Sequence, residues 1–112
     1  LVVEVPNSDD ALLNDNVPYR EFYWQRSHLS YFNPKTLSLA FKSAGIVNVK
    51  VEGVQRYGLD NLMNWIDYGK PQIFNPRYLT RFPLLIPIEE YYRKMREKSM
   101  TCDTIIASTL RP

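Results

Sequence analysis

Apolar and polar positions along the chain fall into short β-branched runs separated by stretches with a three- to four-residue period. "LVVEV" at residues 1–5 reads as a buried strand that Pro6 and Asn7 stop, and a strand apolar on both faces normally lies inside a sheet. "NSDDALLNDNVPY" follows as a turn-rich connection, with a short helix expected over residues 9–13. Residues 20–32, "REFYWQRSHLSYF", hold five aromatics without a clean period. Such a stretch is either a lid over a pocket or an irregular segment plugging the core, and burial is the commoner use of large aromatics.

The next signals are sharper. Asn33 suits an N-cap and Pro34 the first helical position, Leu37, Ala40, Phe41 and Ala44 keep helical spacing, and Gly45 supplies a stop, which predicts a helix over 34–44 with its stripe on a sheet. Val47, Val49 and Val51 alternate with Asn48, Lys50 and Glu52, which predicts a strand within residues 46–57. A second helix is predicted over 59–68, with Leu59, Leu62, Met63 and Ile66 on one side and Gly69 as its stop. Pro71, Pro76 and Pro83 punctuate a loosely ordered passage. A third helix then runs from Pro87 to about residue 98, acids first and bases last, before a strand at residues 102–110.

Strand, helix, strand, two helices, strand is an α/β pattern. Residues 2–5 and 104–107 both read as buried on two faces, and three strands cannot shield two such runs. Their missing neighbours are expected from another part of a longer parent chain or from a partner copy. An apolar strand at the very start, without an initiator methionine or leader, points the same way.

At 112 residues and 45% hydrophobic content, one core-forming domain is expected. Fourteen basic and twelve acidic side chains are interspersed, so the net charge of +2 carries no nucleic-acid footprint, and "YYRKMREK" at 91–98 reads as a solvated helix face. The single cysteine, Cys102, excludes an internal disulfide or a multi-cysteine zinc site and suits a reducing, cytoplasmic compartment. Apolar runs fall short of the roughly 20 residues of a membrane span, so neither nucleic acid nor membrane is an expected partner.

Taken in order, "LVVEVPN", "HLSYFNPKTLSLAFKSAGI", "RYGLDNLMNW" with "GKPQ", and "DTIIAS" resemble the carboxyl-terminal half of class I S-adenosylmethionine-dependent methyltransferases. In that family the fifth strand delivers a "(I/V)xVPN"-like turn, the last large helix starts at a "(S/N)PxTL" cap, and the sixth and seventh strands close the sheet as an antiparallel pair. The resemblance implies a partial Rossmann-like methyltransferase sheet, incomplete without an N-terminal half or partner chain. Residues 1–112 would form one C-terminal subdomain, with a helical insertion at about 58–101. The family's "(D/E)xGxGxG" turn is missing, and no two of the four glycines are close enough to build a cradling loop. S-adenosylmethionine is therefore expected as the cofactor of the full-length parent, and none for this chain alone.

For the chemistry, His28 is the candidate base, because an imidazole with a pKa of about 6.5 can take a proton from a methyl acceptor at neutral pH. The resemblance places its segment on the acceptor side of the cleft; the competing role is to orient a loop by hydrogen bonding. Tyr23, Trp24, Tyr31 and Phe32 are candidate pocket walls, with core packing as the alternative. Arg26 and Glu21 are candidates to orient a polar substrate, or else surface ion pairs. Tyr57, Asn61 and Trp65 stand four apart, and Asn61 and Trp65 share a helical face where a small-molecule acceptor, or simply the sheet, would be met. The expected function is the acceptor-side portion of a methyltransferase acting on a small molecule, inactive by itself. The rival is a non-enzymatic α/β module that forms a homodimer or pairs its strand edges with a partner.

Overall fold

The computed structural model describes residues 1–24, 30–72 and 78–110. Three strands, β1 (Val2–Pro6), β2 (Val49–Val54) and β3 (Thr104–Thr109), form a mixed α/β structure with α1 (Leu12–Asp15), α2 (Val17–Tyr23), α3 (Pro34–Ser43), α4 (Leu59–Tyr68), α5 (Tyr78–Arg81) and α6 (Ile86–Lys98). The sheet order is β1-β3-β2, and β3 is antiparallel to both neighbours. β1 and β2 therefore run parallel, joined by a crossover through α3.

α3 shows why the local signals worked. Asn33 accepts a hydrogen bond from Thr36 N at 2.8 Å while Thr36 Oγ1 accepts from Asn33 N at 2.9 Å, a closed capping box ahead of Pro34. Leu37 and Phe41 are buried against Ile105 and Ala107, with Val3, Val5, Val49 and Val51 around them. The stripe is narrower than its spacing suggests, since Ala40 and Ala44 are exposed. Val47 likewise lies outside β2 and is exposed, after which Asn48 turns the chain at a φ of 59°.

β1 has one open side. It lies at the edge of the sheet, paired only with β3 among the described residues, and Val2 is 70% exposed. Register explains this: Val3 and Val5 face α3 opposite Ala107 and Ile105, whereas Val2 and Glu4 lie on the face that also carries Ser108, Lys50 and Glu52. Among the described strands only β3 is flanked on both sides, so within this chain the outer side of β1 has no neighbouring strand, in keeping with three strands being too few to shield both apolar runs.

Two further elements differ from the sequence reading. The first short helix begins at Leu12 rather than residue 9, and α2 occupies residues that looked aperiodic. Asn16 Oδ1 accepts from Tyr19 N at 2.9 Å and Pro18 sits in the first turn, so the helix starts before the window in which a period was sought. On α4, Ile66 is exposed and Trp65 is the buried anchor.

α6 is more than a solvated face. Arg93 Nη1 donates to the carbonyls of Gln55 and Arg56 at 2.6 and 3.0 Å, and Glu97 accepts from Gln55 N at 2.9 Å. Glu89 Oε1 accepts from Leu59 N at 3.1 Å, capping α4, whose own N-cap, Gly58, has no side chain to do so. At Gly53 on β2 a Cβ would stand 2.6 Å from Cys102 Sγ and 3.1 Å from Glu97 O, so the close passage of the chain beyond α6 requires glycine there.

The strand ends are fastened by Asn7, which is fully buried. Its Nδ2 donates to the carbonyls of Met100 and Cys102, both at 2.9 Å, its Oδ1 accepts from Asp9 N at 3.1 Å, and its backbone N–H donates to Asp103 O at 2.9 Å. Asn7→Ala should lower stability by about 3 kcal/mol, since it strands buried carbonyls as well as removing the bonds. Urea denaturation checks this, and a loss within about 0.5 kcal/mol would show that the clamp is dispensable.

Candidate functional site

A pocket of about 400 Å³ opens where β1 and β2 end and β3 begins. Open α/β sheets bind ligands beyond the carboxyl ends of parallel strands, and here β1 and β2 both finish at this rim. Val5 and Pro6 come from the end of β1, Tyr57 from the segment after β2, Asp103 and Thr104 from the start of β3, Tyr19, Phe22 and Tyr23 from α2, and Asn61 and Trp65 from α4.

The aromatic wall is a connected set of rings. Trp65 meets Tyr19 edge-on at 5.2 Å and Phe22 at 5.1 Å, and Tyr23 lies 6.1 Å from Tyr19 and 5.2 Å from Tyr31. Trp24 closes the set at 4.6 Å from Tyr31, whose hydroxyl donates to Tyr23 O at 3.1 Å. Tyr19, Phe22 and Tyr23 follow i, i+3, i+4 spacing, so α2 presents all three on one side. The Asn16–Pro18 helix start was the signal for this wall, and Tyr19 lay one position before the aromatic window.

Beneath the wall lies a buried polar layer. Asp103 Oδ1 accepts from Arg56 N at 2.9 Å and Thr104 Oγ1 at 2.8 Å, and Oδ2 accepts from Gln55 Nε2 at 2.8 Å and Tyr57 N at 3.0 Å. Burial raises its pKa above the usual carboxylate range against the lowering effect of these donors. Asp10 is also raised by burial; its Oδ2 accepts from Tyr19 OH at 2.5 Å and Oδ1 from Leu12 N at 3.0 Å. Burial, followed by the neighbouring Asp10 charge, pushes the Tyr19 phenol upward, and burial does the same to Tyr23.

These carboxyls orient backbone rather than await a substrate. Asp103 has two donors on each oxygen, and Glu4 at the rim is engaged by Arg56, with Nη2 at 2.7 Å and Nε at 2.9 Å from Oε1. The pocket therefore offers an apolar, aromatic body with hydroxyl and amide groups at its edge, suited to holding an uncharged ring by shape.

Of the residues singled out from sequence, Tyr23, Tyr57, Asn61 and Trp65 line this pocket, and Tyr31 stands behind Tyr23. Asn61 Oδ1 accepts from Gln72 N at 3.2 Å, which holds the segment after α4 against the pocket. His28 and Arg26 lie outside the described residues. Trp24 is half exposed beyond the pocket, Phe32 packs with the α3 core, and Glu21 is exposed on α2. Sequence reasoning did not single out Tyr19, Phe22, Asp103 and Gln72 for the site.

The four glycines serve the fold. Gly45 and Gly69 end helices, Gly53 is closed in by Cys102 and Glu97, and a Cβ at Gly58 would meet the Glu89 carboxylate. None of the four lines the aromatic pocket. Cys102 is fully buried, and burial raises its thiol pKa, so it is no ready nucleophile. Among the described residues no group of His, Cys, Asp or Glu is placed to hold a metal ion, and no helix is long and apolar enough to cross a membrane. Comparison with known proteins finds no matching family model, no matching curated protein and no matching solved structure.

The raised carboxyls make a signed prediction. An unfolded aspartate releases its proton near pH 3.8, whereas folded Asp10 keeps it to higher pH, so its contribution favours the fold below that value and is lost as pH rises through the folded pKa. Asn at this position cannot ionise. The stability cost of Asp10→Asn, measured by urea denaturation, should accordingly shrink between about pH 4 and pH 7. A cost that grows over this interval would mean a depressed folded pKa.

Proposed function

We propose that the chain is the acceptor-side portion of an S-adenosylmethionine-dependent methyltransferase, working with an N-terminal portion that carries the donor. The supporting observation is the aromatic pocket at the shared carboxyl end of β1 and β2, where an acceptor would lie beside a donor delivered from further along the sheet. An antiparallel β3 between two parallel strands is compatible with the antiparallel pair that closes the family's sheet. The open outer edge of β1 is where further strands would add.

In this reading the protein acts mainly by alignment. Tyr23, Tyr57, Asn61 and Trp65 hold an uncharged ring, and enclosure by aromatic walls fixes the angle of an in-line methyl displacement. The base is His28, assigned from sequence alone, with Arg26 and Tyr31 as further acceptor-side groups.

The open β1 edge equally favours a second reading, in which it pairs with the strand of a partner and no methyl transfer occurs. The two diverge in the longer polypeptide carrying the donor-binding portion: the first requires S-adenosylmethionine binding there and not in the 112-residue chain. Transfer of labelled methyl groups to small ring acceptors is the expected result, and a longer polypeptide that neither binds the donor nor transfers methyl overturns the proposal. Tyr57→Ala, an exposed wall residue, should raise acceptor KM about tenfold with stability changed by less than about 0.5 kcal/mol. His28→Ala should lower kcat far more than stability, and equal losses would return His28 to a structural role.

A further inference from the structure

We propose that Asn61 is the specificity-determining donor of the aromatic pocket and that the occupant is a neutral ring carrying a carbonyl or hydroxyl oxygen, an assignment that rests on the pocket holding a ring and is independent of how a methyl donor is bound. Asn61 Oδ1 accepts from Gln72 N at 3.2 Å. A backbone N–H can only donate, so the amide atom it meets is the oxygen, and the Asn61 amide cannot turn end for end without losing that bond. Its Nδ2 is thereby left as a donor without an acceptor among the described residues, on a side chain that lines the cavity of about 400 Å³. Gln72 belongs to the same wall, so the bond that fixes the amide also closes that side of the pocket.

Most other polar side chains of the pocket are spent or shut away. Thr104 Oγ1 donates its proton to Asp103, and Tyr19 OH donates its proton to Asp10. Asp103 accepts two donors on each oxygen, and Glu4 is held by Arg56. The Tyr23 hydroxyl has no partner but is closed off from solvent, and Tyr57, 60% exposed, keeps much of its side chain in water. No lysine or arginine is among the residues lining the cavity, so a phosphate or carboxylate would enter it without a counter-charge. The wall thus presents aromatic surface and one oriented amide N–H, and its complement is an uncharged ring with an oxygen lone pair in reach. Such a donor discriminates by penalty as well as by attraction, because a ring that lacks the oxygen covers the amide and leaves it unpaired.

Asn61→Asp isolates this donor. The substituted side chain keeps an oxygen for Gln72 N and replaces Nδ2 alone, and position 61 stands in the first turn of α4, where a negative charge is favoured, so circular dichroism should not change. The test is an NMR titration of the 112-residue chain with toluene, acetophenone and 1-phenylethanol, read at the Trp65 indole, up to about 5 mM, the affinity range of ligands this small. Apolar burial alone favours toluene, which has no polar atom to desolvate. The expected order is the reverse, with both oxygen-bearing rings bound about fivefold tighter than toluene. Asn61→Asp should abolish the advantage of acetophenone, leave toluene within about twofold, and spare 1-phenylethanol, whose hydroxyl can donate to the new carboxylate. Acetophenone ahead of 1-phenylethanol in the unsubstituted chain marks the occupant as a carbonyl compound, and the opposite order marks it as an alcohol. Toluene bound as tightly as either, no shift at Trp65 from any of the three, or an acetophenone preference that survives Asn61→Asp overturns the assignment. Donor binding and methyl transfer by the longer polypeptide are read separately, so their failure would leave this selectivity standing, and loss of the selectivity would leave methyl transfer standing.

Discussion

The structure depends on how three strand ends are held at one rim. β1 and β2 leave the sheet where β3 enters, and the backbone there cannot complete its ladder. Two buried side chains substitute for the missing strand partners: Asn7 bonds the chain leading into β3, and Asp103 gathers Gln55, Thr104 and the N–H groups of Arg56 and Tyr57. A buried amide and a buried carboxyl are costly unless every lone pair and proton is used, and these two are extensively used. The pocket sits directly on this clamp, so its floor is set by backbone geometry and its walls by aromatic packing.

This division of labour accounts for the chemistry of the site. Asp103 has the burial and the raised pKa often associated with catalytic carboxyls, yet its oxygens are already occupied. Perturbed acidity here reflects structural desolvation. The wall, in contrast, is assembled from α2 and α4, which touch through the Tyr19, Phe22 and Trp65 rings rather than through the sheet. Selectivity for an occupant can therefore vary with those helices while the strand clamp stays fixed.

Where a signal was local, the sequence was readable. The capping box at Asn33 and Thr36, the alternating valines of β2 and the stop at Gly69 need no distant partner, and the structure places α3, β2 and α4 accordingly. Exposure of Ala40 and Ile66 was not readable, because it depends on how far each helix reaches over its neighbour. Which side of β1 pairs within this chain was not readable either, because two-faced apolarity does not say where a neighbour comes from. The pocket was half visible. Asn61 and Trp65 were found through helical spacing, with Tyr57 four residues before them, whereas Tyr19 and Phe22 were missed because the aromatic run was judged without its N-cap, and Asp103 because a lone aspartate before a strand carries no local pattern.

The carboxylate that Glu89 lends to Leu59 N has a mechanical meaning. α4 is preceded by a glycine N-cap and borrows its capping carboxylate from a helix thirty residues later, so loss of Glu89 would leave Leu59 N without its acceptor. The start of α4, and with it the turn that leads to Asn61 at the aromatic cleft, is thus tied to α6 by one hydrogen bond.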